Sequence, residues 1–178
     1  MMKKYRIHIV GNGNSWTDFK KIDQDDYVIG TNATKCKEAN VTLLSDIHIC
    51  EKIKEGKVQV NVPVVVNKHV ETWINSNPGY LEIYDIQVRF KDITPLEYSS
   101  GHYAAIWGIL KFEPEEIHIW GCDSLFEPHT RSYTDEIVVH PSKHNTKLMK
   151  SCAERWRRAW NKIEKEYGPT KFIFHTPA

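Results

Sequence analysis

No stretch of this chain reaches the roughly 18 consecutive apolar residues that a membrane-spanning helix needs. The opening Met1-Met2-Lys3-Lys4 imitates the charged end of a leader peptide. The apolar run behind it is short, however, and Gly11-Asn12-Gly13-Asn14 cuts it off. Cysteine is scarce: Cys36, Cys50, Cys122 and Cys152 make no Cys-x-x-Cys pair. That spacing speaks against zinc ribbons and disulfide scaffolds and leads to the expectation of a reducing, cytoplasmic setting. Charge of one sign is also missing. The net charge is +1, so no global field calls for nucleic acid or an anionic surface. No internal repeat, low-complexity tract or linker divides the 178 residues, which read as one domain with enough chain to bury a core. Hydrophobic residues make up 40% and charged residues 26%, the ordinary mixture of a soluble globular protein. The six tryptophans are assigned mostly to that core.

What is present is an alternation of strands and helices. Strands are expected at 5–10, 27–31, 41–45, 62–66, 116–121 and 171–175, with an edge strand over 81–90. Pro63 suits a strand start or a sheet edge. Residues 18–24 read as a polar link and 33–39 as a helical turn, with a short helix over 47–55 and a turn cluster over 75–79. Helix 100–112 sets Tyr103, Ile106, Trp107 and Leu110 on one face. Helix 145–167 repeats Leu148, Cys152, Trp156, Ala159, Ile163 and Tyr167 as an apolar stripe, and its many cations are read as a solvated outer face. This order predicts an α/β fold: a single Rossmann-like domain, a mostly parallel twisted sheet with helices on both faces. Ligands of such sheets bind beyond the strands' C-terminal ends. The candidates there are Gly11–Ser15, Asn32, Asp46, Ser99–Gly101 and Asp123.

Each candidate has a chemical reading and a plain one. The glycines of Gly11-Asn12-Gly13-Asn14-Ser15 let phosphate or sugar approach the backbone; the plain reading is a tight turn. The third glycine of a dinucleotide fingerprint is missing, and the second strand ends in Thr31-Asn32 rather than an acid, which argues against NAD. Asn32 can offer both donor and acceptor to a base or ribose, or close its own turn. Asp46-Ile47-His48 resembles the start of a two-metal phosphoesterase motif, but the motifs that should follow are absent, and a helix cap at Asp46 is the better reading. The long polar stretch 124–144 is expected to serve as an active-site lid. His129, His140 and His144 fall within it, at a spacing poor for zinc but suited to one general base; surface histidines are the plain alternative.

Taken in order, these residues resemble the family 42 glycosyltransferases, bacterial sialyltransferases that use a CMP-sugar donor. More distantly they resemble 6-hydroxymethylpterin pyrophosphokinase-like and related phage proteins. Gly11-Asn12-Gly13-Asn14-Ser15 is similar to the family's Gly-Asn-Gly-Pro-Ser, Ser99-Ser100-Gly101 to its Thr/Ser-Ser-Gly, and Gly121-Cys122-Asp123 to its Gly-x-Asp. Asn32 and Asp46 stand at matching strand tips, and His140-Pro141-Ser142-Lys143-His144-Asn145-Thr146 is similar to the segment holding the family's catalytic histidine. The resemblance implies metal-independent, inverting transfer with no cofactor beyond the nucleotide-sugar donor. His140 would be the base and His144 the second choice. Tyr133, one tyrosine where the family has two, would act with Arg131 on the leaving phosphate. Gly11, Asn12, Gly13, Ser15, Asn32, Asp46, Ser99, Ser100, Gly101 and Asp123 would bind nucleotide and sugar, and homo-oligomers are implied as well. Two other functions are carried forward: a phage-type nucleotide-binding or sequestering module without turnover, and a pyrophosphokinase-like phosphoryl transferase.

Overall fold

A computed structural model of the chain describes residues 5–81, 98–123 and 146–176. Short runs rich in isoleucine, valine and leucine form the strands: β1 (Arg6–Val10), β2 (Tyr27–Thr31), β3 (Val41–Leu44), β4 (Val64–Val66), β5 (Glu116–Trp120) and β6 (Lys171–Phe174). They join into one sheet in the order β4-β3-β2-β1-β5-β6, parallel at every pairing. The chain builds outward from β1 to β4, then returns to lay β5 against the other side of β1. That reversal makes the β1–β5 junction the switch point of an open Rossmann-like sheet.

The helices are α1 (Ile47–Lys54), α2 (Lys68–Ser76), α3 (Ser100–Phe112) and α4 (Thr146–Glu166). One face of the sheet contributes Ile7, Ile9, Ile29, Leu43, Val65, Ile117 and Ile119 to a core shared with α3 and α4. On the other face Leu44, Val64 and Val66 pack with Ile49, Cys50 and Val70 of α1 and α2. Opposite α3, beneath β1 and β2, irregular chain supplies the cover: Phe19 and Cys36 close over Val10 and Val28. Both faces are therefore clothed, as the alternation of elements predicts.

Several details differ from expectation. The 33–39 segment is not helical, because the Thr34 hydroxyl accepts the Cys36 N–H and competes with helix formation. A 3-10 turn over Asn14–Asp18 precedes the link expected at 18–24. The sequence reading leaves out α2, nine residues long, whose signals are an Asn67 cap on the Val70 N–H at 3.0 Å and Val70, Trp73 and Ile74 at i, i+3, i+4. It runs into the expected turn cluster and ends at Ser76. β4 begins after Pro63, whose carbonyl still accepts from Thr42 at 2.9 Å, and it forms the sheet edge. Leu110 is 63% exposed, since burial of α3 extends all round from Gly101 to Ile109 and only its last turn emerges. The strand expected at 81–90 lies, past Leu81, outside the described residues.

Candidate functional site

All six strand ends face one edge of the sheet, and two polar assemblies are built there. The first locks β1 to β5. The Gly11 N–H donates to the Trp120 carbonyl at 2.8 Å and the Gly13 N–H to the Gly121 carbonyl at 2.7 Å. A Cβ on Gly13 would sit 2.6 Å from that oxygen and 2.7 Å from the Asp123 carboxyl carbon. Gly121 has φ +64°, and its own Cβ would lie 2.7 Å from the Gly11 oxygen. These glycines let two strand-tip loops touch. Asp123, 2% exposed, closes the lock. It accepts from the Ser15 N–H at 2.8 Å and from the Ser15 hydroxyl. Gly11, Gly13, Ser15 and Asp123 are thus committed to one another at the switch point.

The second assembly sits beside the lock, over β2 and β3 and under the N-terminus of α3. Asn12 reaches from the β1 loop and donates to the Thr31 carbonyl at 3.0 Å. Asn32 takes the left-handed conformation, φ 48°, which asparagine tolerates better than most residues. That turn is fixed by its N–H on the Leu43 carbonyl at 2.8 Å and the Thr42 hydroxyl on its own carbonyl at 2.8 Å. The side chain then bridges two elements: Nδ2 donates to the Ser100 hydroxyl at 2.9 Å, and Oδ1 accepts the Ser45 N–H at 3.2 Å. The Ser45 and Ser100 hydroxyls stand 2.5 Å apart. Ser45, Asn32 and Ser100 are only partly buried, so this cluster meets solvent at the crest of the sheet.

Ser99, Ser100 and Gly101 open α3, where Ser99 and His102 form a capping box and the His102 N–H is held by the Ser99 carbonyl at 3.1 Å, leaving the positive end of the helix at this point. The helix therefore brings partial positive charge to the cluster. Its first turn is held by a histidine. The Ser99 N–H donates to His102 Nδ1 at 2.9 Å, and His102 Nε2 lies 3.0 Å from the Trp156 carbonyl of α4. Burial is the main cause that pushes the His102 pKa down to about 4, so the ring is neutral.

Of the residues singled out from sequence, Asn12, Asn32 and Ser100 are brought together. Gly11, Gly13, Ser15 and Asp123 form the neighbouring lock. Asp46 is the N-cap of α1, its carboxylate accepting the His48 N–H at 2.9 Å, and is turned to that helix. Among the described residues no group of three or more His, Cys, Asp or Glu could hold a metal. His129, Arg131, Tyr133, His140 and His144 lie outside the described residues. Sequence reasoning missed Ser45 and His102. Ser45 directly precedes Asp46 at a strand tip, and His102 stands three residues after Ser99, where a capping box carries its reciprocal side chain.

No protein-family model and no curated protein matches the chain. Among solved structures, its fold is similar to that of the sialyltransferase CstII from Campylobacter jejuni, solved in complex with the substrate analogue CMP-3FNeuAc. The TM-score is 0.52 at 16% identity, covering 97% of this chain and 81% of that one. The similarity is one of fold. Among the described residues no helix is long and apolar enough to cross a membrane.

Proposed function

We propose that this protein is a nucleotide-sugar-dependent glycosyltransferase that takes a CMP-linked donor and transfers its sugar with inversion and without a metal. The observation that carries the reading is the meeting of Asn12, Asn32, Ser45 and Ser100 with the N-terminus of α3 beside the sheet's switch point. The positive end of the helix suits a phosphate, and the asparagine amides and serine hydroxyls suit a ribose and base. The likeness in fold to a protein solved with a CMP-sugar analogue supports the same choice.

The two described carboxylates at this crest, Asp46 and Asp123, are occupied in a helix cap and in the loop lock. The resemblance to family 42 implies that the proton acceptor comes from the 124–144 segment, and we take it from there. His140, with His144 as second choice, takes the proton from the acceptor hydroxyl, and Tyr133 and Arg131 stabilise the departing nucleotide phosphate. Thermal shifts with CMP, UMP, AMP, GMP, their diphosphates and CMP-sialic acid, with and without magnesium, test the reading. A cytidine-selective, magnesium-independent rise in Tm is expected, because a ligand held only by the folded state must stabilise it. An absence of shift at saturating nucleotide sinks it. Binding with no product in an acceptor screen would instead identify a sequestering module, and magnesium-dependent phosphoryl transfer a pyrophosphokinase-like enzyme. A His140→Ala protein that transfers sugar at the wild-type rate would remove that base.

A further inference from the structure

His102 is fully buried, carries no charge, and touches neither the crest nor solvent. Its hydrogen bonds fix its tautomer. A backbone N–H can only donate, so the Ser99 amide makes Nδ1 an acceptor. A backbone carbonyl can only accept, so Nε2 carries the proton and donates to Trp156. The Ser99 hydroxyl also lies 2.8 Å from Nδ1. The ring stacks obliquely on Trp160 of α4, with centroids 4.4 Å apart, and meets Tyr98 edge-on at 5.4 Å. Burial and two backbone hydrogen bonds account for its protonation behaviour, with no charged neighbour contributing. One neutral ring therefore joins three things: the first residue of the α3 turn, the middle of α4, and the aromatic packing between them.

The turn it holds is the one that presents Ser100. That hydroxyl is the shared partner of Asn32 and Ser45. We propose that His102 is the positioning residue of the crest site: it sets Ser99, and through Ser99 the Ser100 hydroxyl, and it makes that setting depend on the seating of α4. The proposal rests on the nucleotide-binding reading for the ligand, CMP, but the coupling itself can be read without one.

Three variants separate the parts. His102→Phe keeps a ring between Tyr98 and Trp160 and deletes both hydrogen bonds. His102→Gln restores the side chain that completes a capping box with Ser99. Ser99→Pro removes the N–H donor together with the Ser99 hydroxyl, at a φ of −83° within reach of proline, so that every contact of Ser99 with the ring is lost while the histidine and its α4 bond stay in place. Amide hydrogen exchange is followed at Ser45, whose N–H is held by Asn32, with Ile9 and Ile119 as core references. Acceleration at Ser45 of about tenfold is expected in His102→Phe and Ser99→Pro, with the references unchanged and recovery in His102→Gln. CMP affinity should fall by a similar factor in the first two variants and recover in the third. Equal exchange at Ser45 in wild type and in Ser99→Pro overturns the proposal, even if the Phe variant fails to fold. Exchange accelerated to the same degree at the references as at Ser45 also overturns it, since that is general destabilisation. A wild-type protein that ignores CMP while Ser45 still follows His102 sinks the nucleotide reading and keeps the coupling.

Discussion

β1 and β5 present two unlike faces made from nearly the same residues. They pair in register, with Arg6 opposite Glu116, Ile7 opposite Ile117, His8 opposite His118 and Ile9 opposite Ile119. The isoleucines point beneath α3 and α4 and are at most 1% exposed. The alternate positions carry a polar network. Arg6 bonds Asp26 and Glu116, each at 3.2 Å. His8 Nδ1 accepts the Trp120 indole N–H at 3.0 Å, so its Nε2 must hold the proton it gives to Asp26 at 2.8 Å. His118 lies 3.3 Å from Glu116 and 2.9 Å from His175, whose ring stacks flat on Trp120. The dry face supplies burial. The polar face, itself buried, supplies register, because a slip of one residue would bring isoleucines under irregular chain and histidines under helices. A fixed register is what aligns Gly11 with Gly121 at the switch point, so the polar face serves the site it does not touch.

Truncation on the dry face is the strongest way to break this comparison. Ile119→Ala removes a side chain 1% exposed in the middle of the sheet. It should cost about 4 kcal/mol, the range for cavities left by buried isoleucine. Urea denaturation should show the midpoint falling with the slope unchanged. A loss below about 1 kcal/mol would mean that α3 and α4 collapse onto the gap, and that the dry face is not the rigid partner.

Acid attacks the other side of the comparison. Burial is the leading cause that lowers the pKa of His8 and of His175, as it lowers that of His102. Burial also works against the Asp26 carboxylate, but its hydrogen bonds to His8 and the Asp23 amide, with the charge of Arg6, hold its pKa below the ordinary value. A histidine with a lowered folded pKa is protonated first in the unfolded chain. Stability is then complete above the unfolded value of 6.5 and is lost as pH falls below it. For His102 the window runs from 6.5 to about 4. Its full width corresponds to about 3 kcal/mol. Denaturation between pH 7 and pH 4 should show this decline, flatter in His102→Gln. A stability that is level across the window would require the buried rings to be protonated in the fold, against the donor on His8 Nδ1 and the donor on His102 Nδ1.

Much of this was legible in the residues, for reasons that can be named. The strand 27–31 and the helix 100–112 come out with the expected ends, because each is a mostly apolar run with polar residues at its borders. The Gly-rich turn after β1 and Gly121-Cys122-Asp123 after β5 are found at strand tips, but their glycines make room for each other rather than standing open. Nothing local distinguishes those two uses. The cluster of Asn32, Ser45 and Ser100 joins residues 55 and 68 positions apart, and the polar face joins Asp26 to Arg6 and His8 of β1, 20 and 18 positions away. Alternating His and Ile shows that a strand has a polar face. It does not say which remote carboxylate will satisfy it.

The smallest effect sharpens the boundary of the dry face. Periodicity puts Leu110 with Tyr103, Ile106 and Trp107, which are all buried, yet Leu110 is 63% exposed. The cause is position along the helix rather than its phase. α3 is enclosed from Gly101 to Ile109 between the sheet and α4, and its last turn passes beyond them. Lys111 next to it lies over the rings of Trp107 and Phe112, at 4.7 and 5.6 Å, so the turn is covered by an alkyl stem and a charge. Leu110→Lys therefore deletes little buried area and keeps helix propensity. Its stability should stay within about 0.5 kcal/mol of wild type, as for other exposed positions. A loss of several kcal/mol in the same urea titration would place Leu110 against a surface that continues the isoleucine core, and would extend the dry face past the end of the sheet.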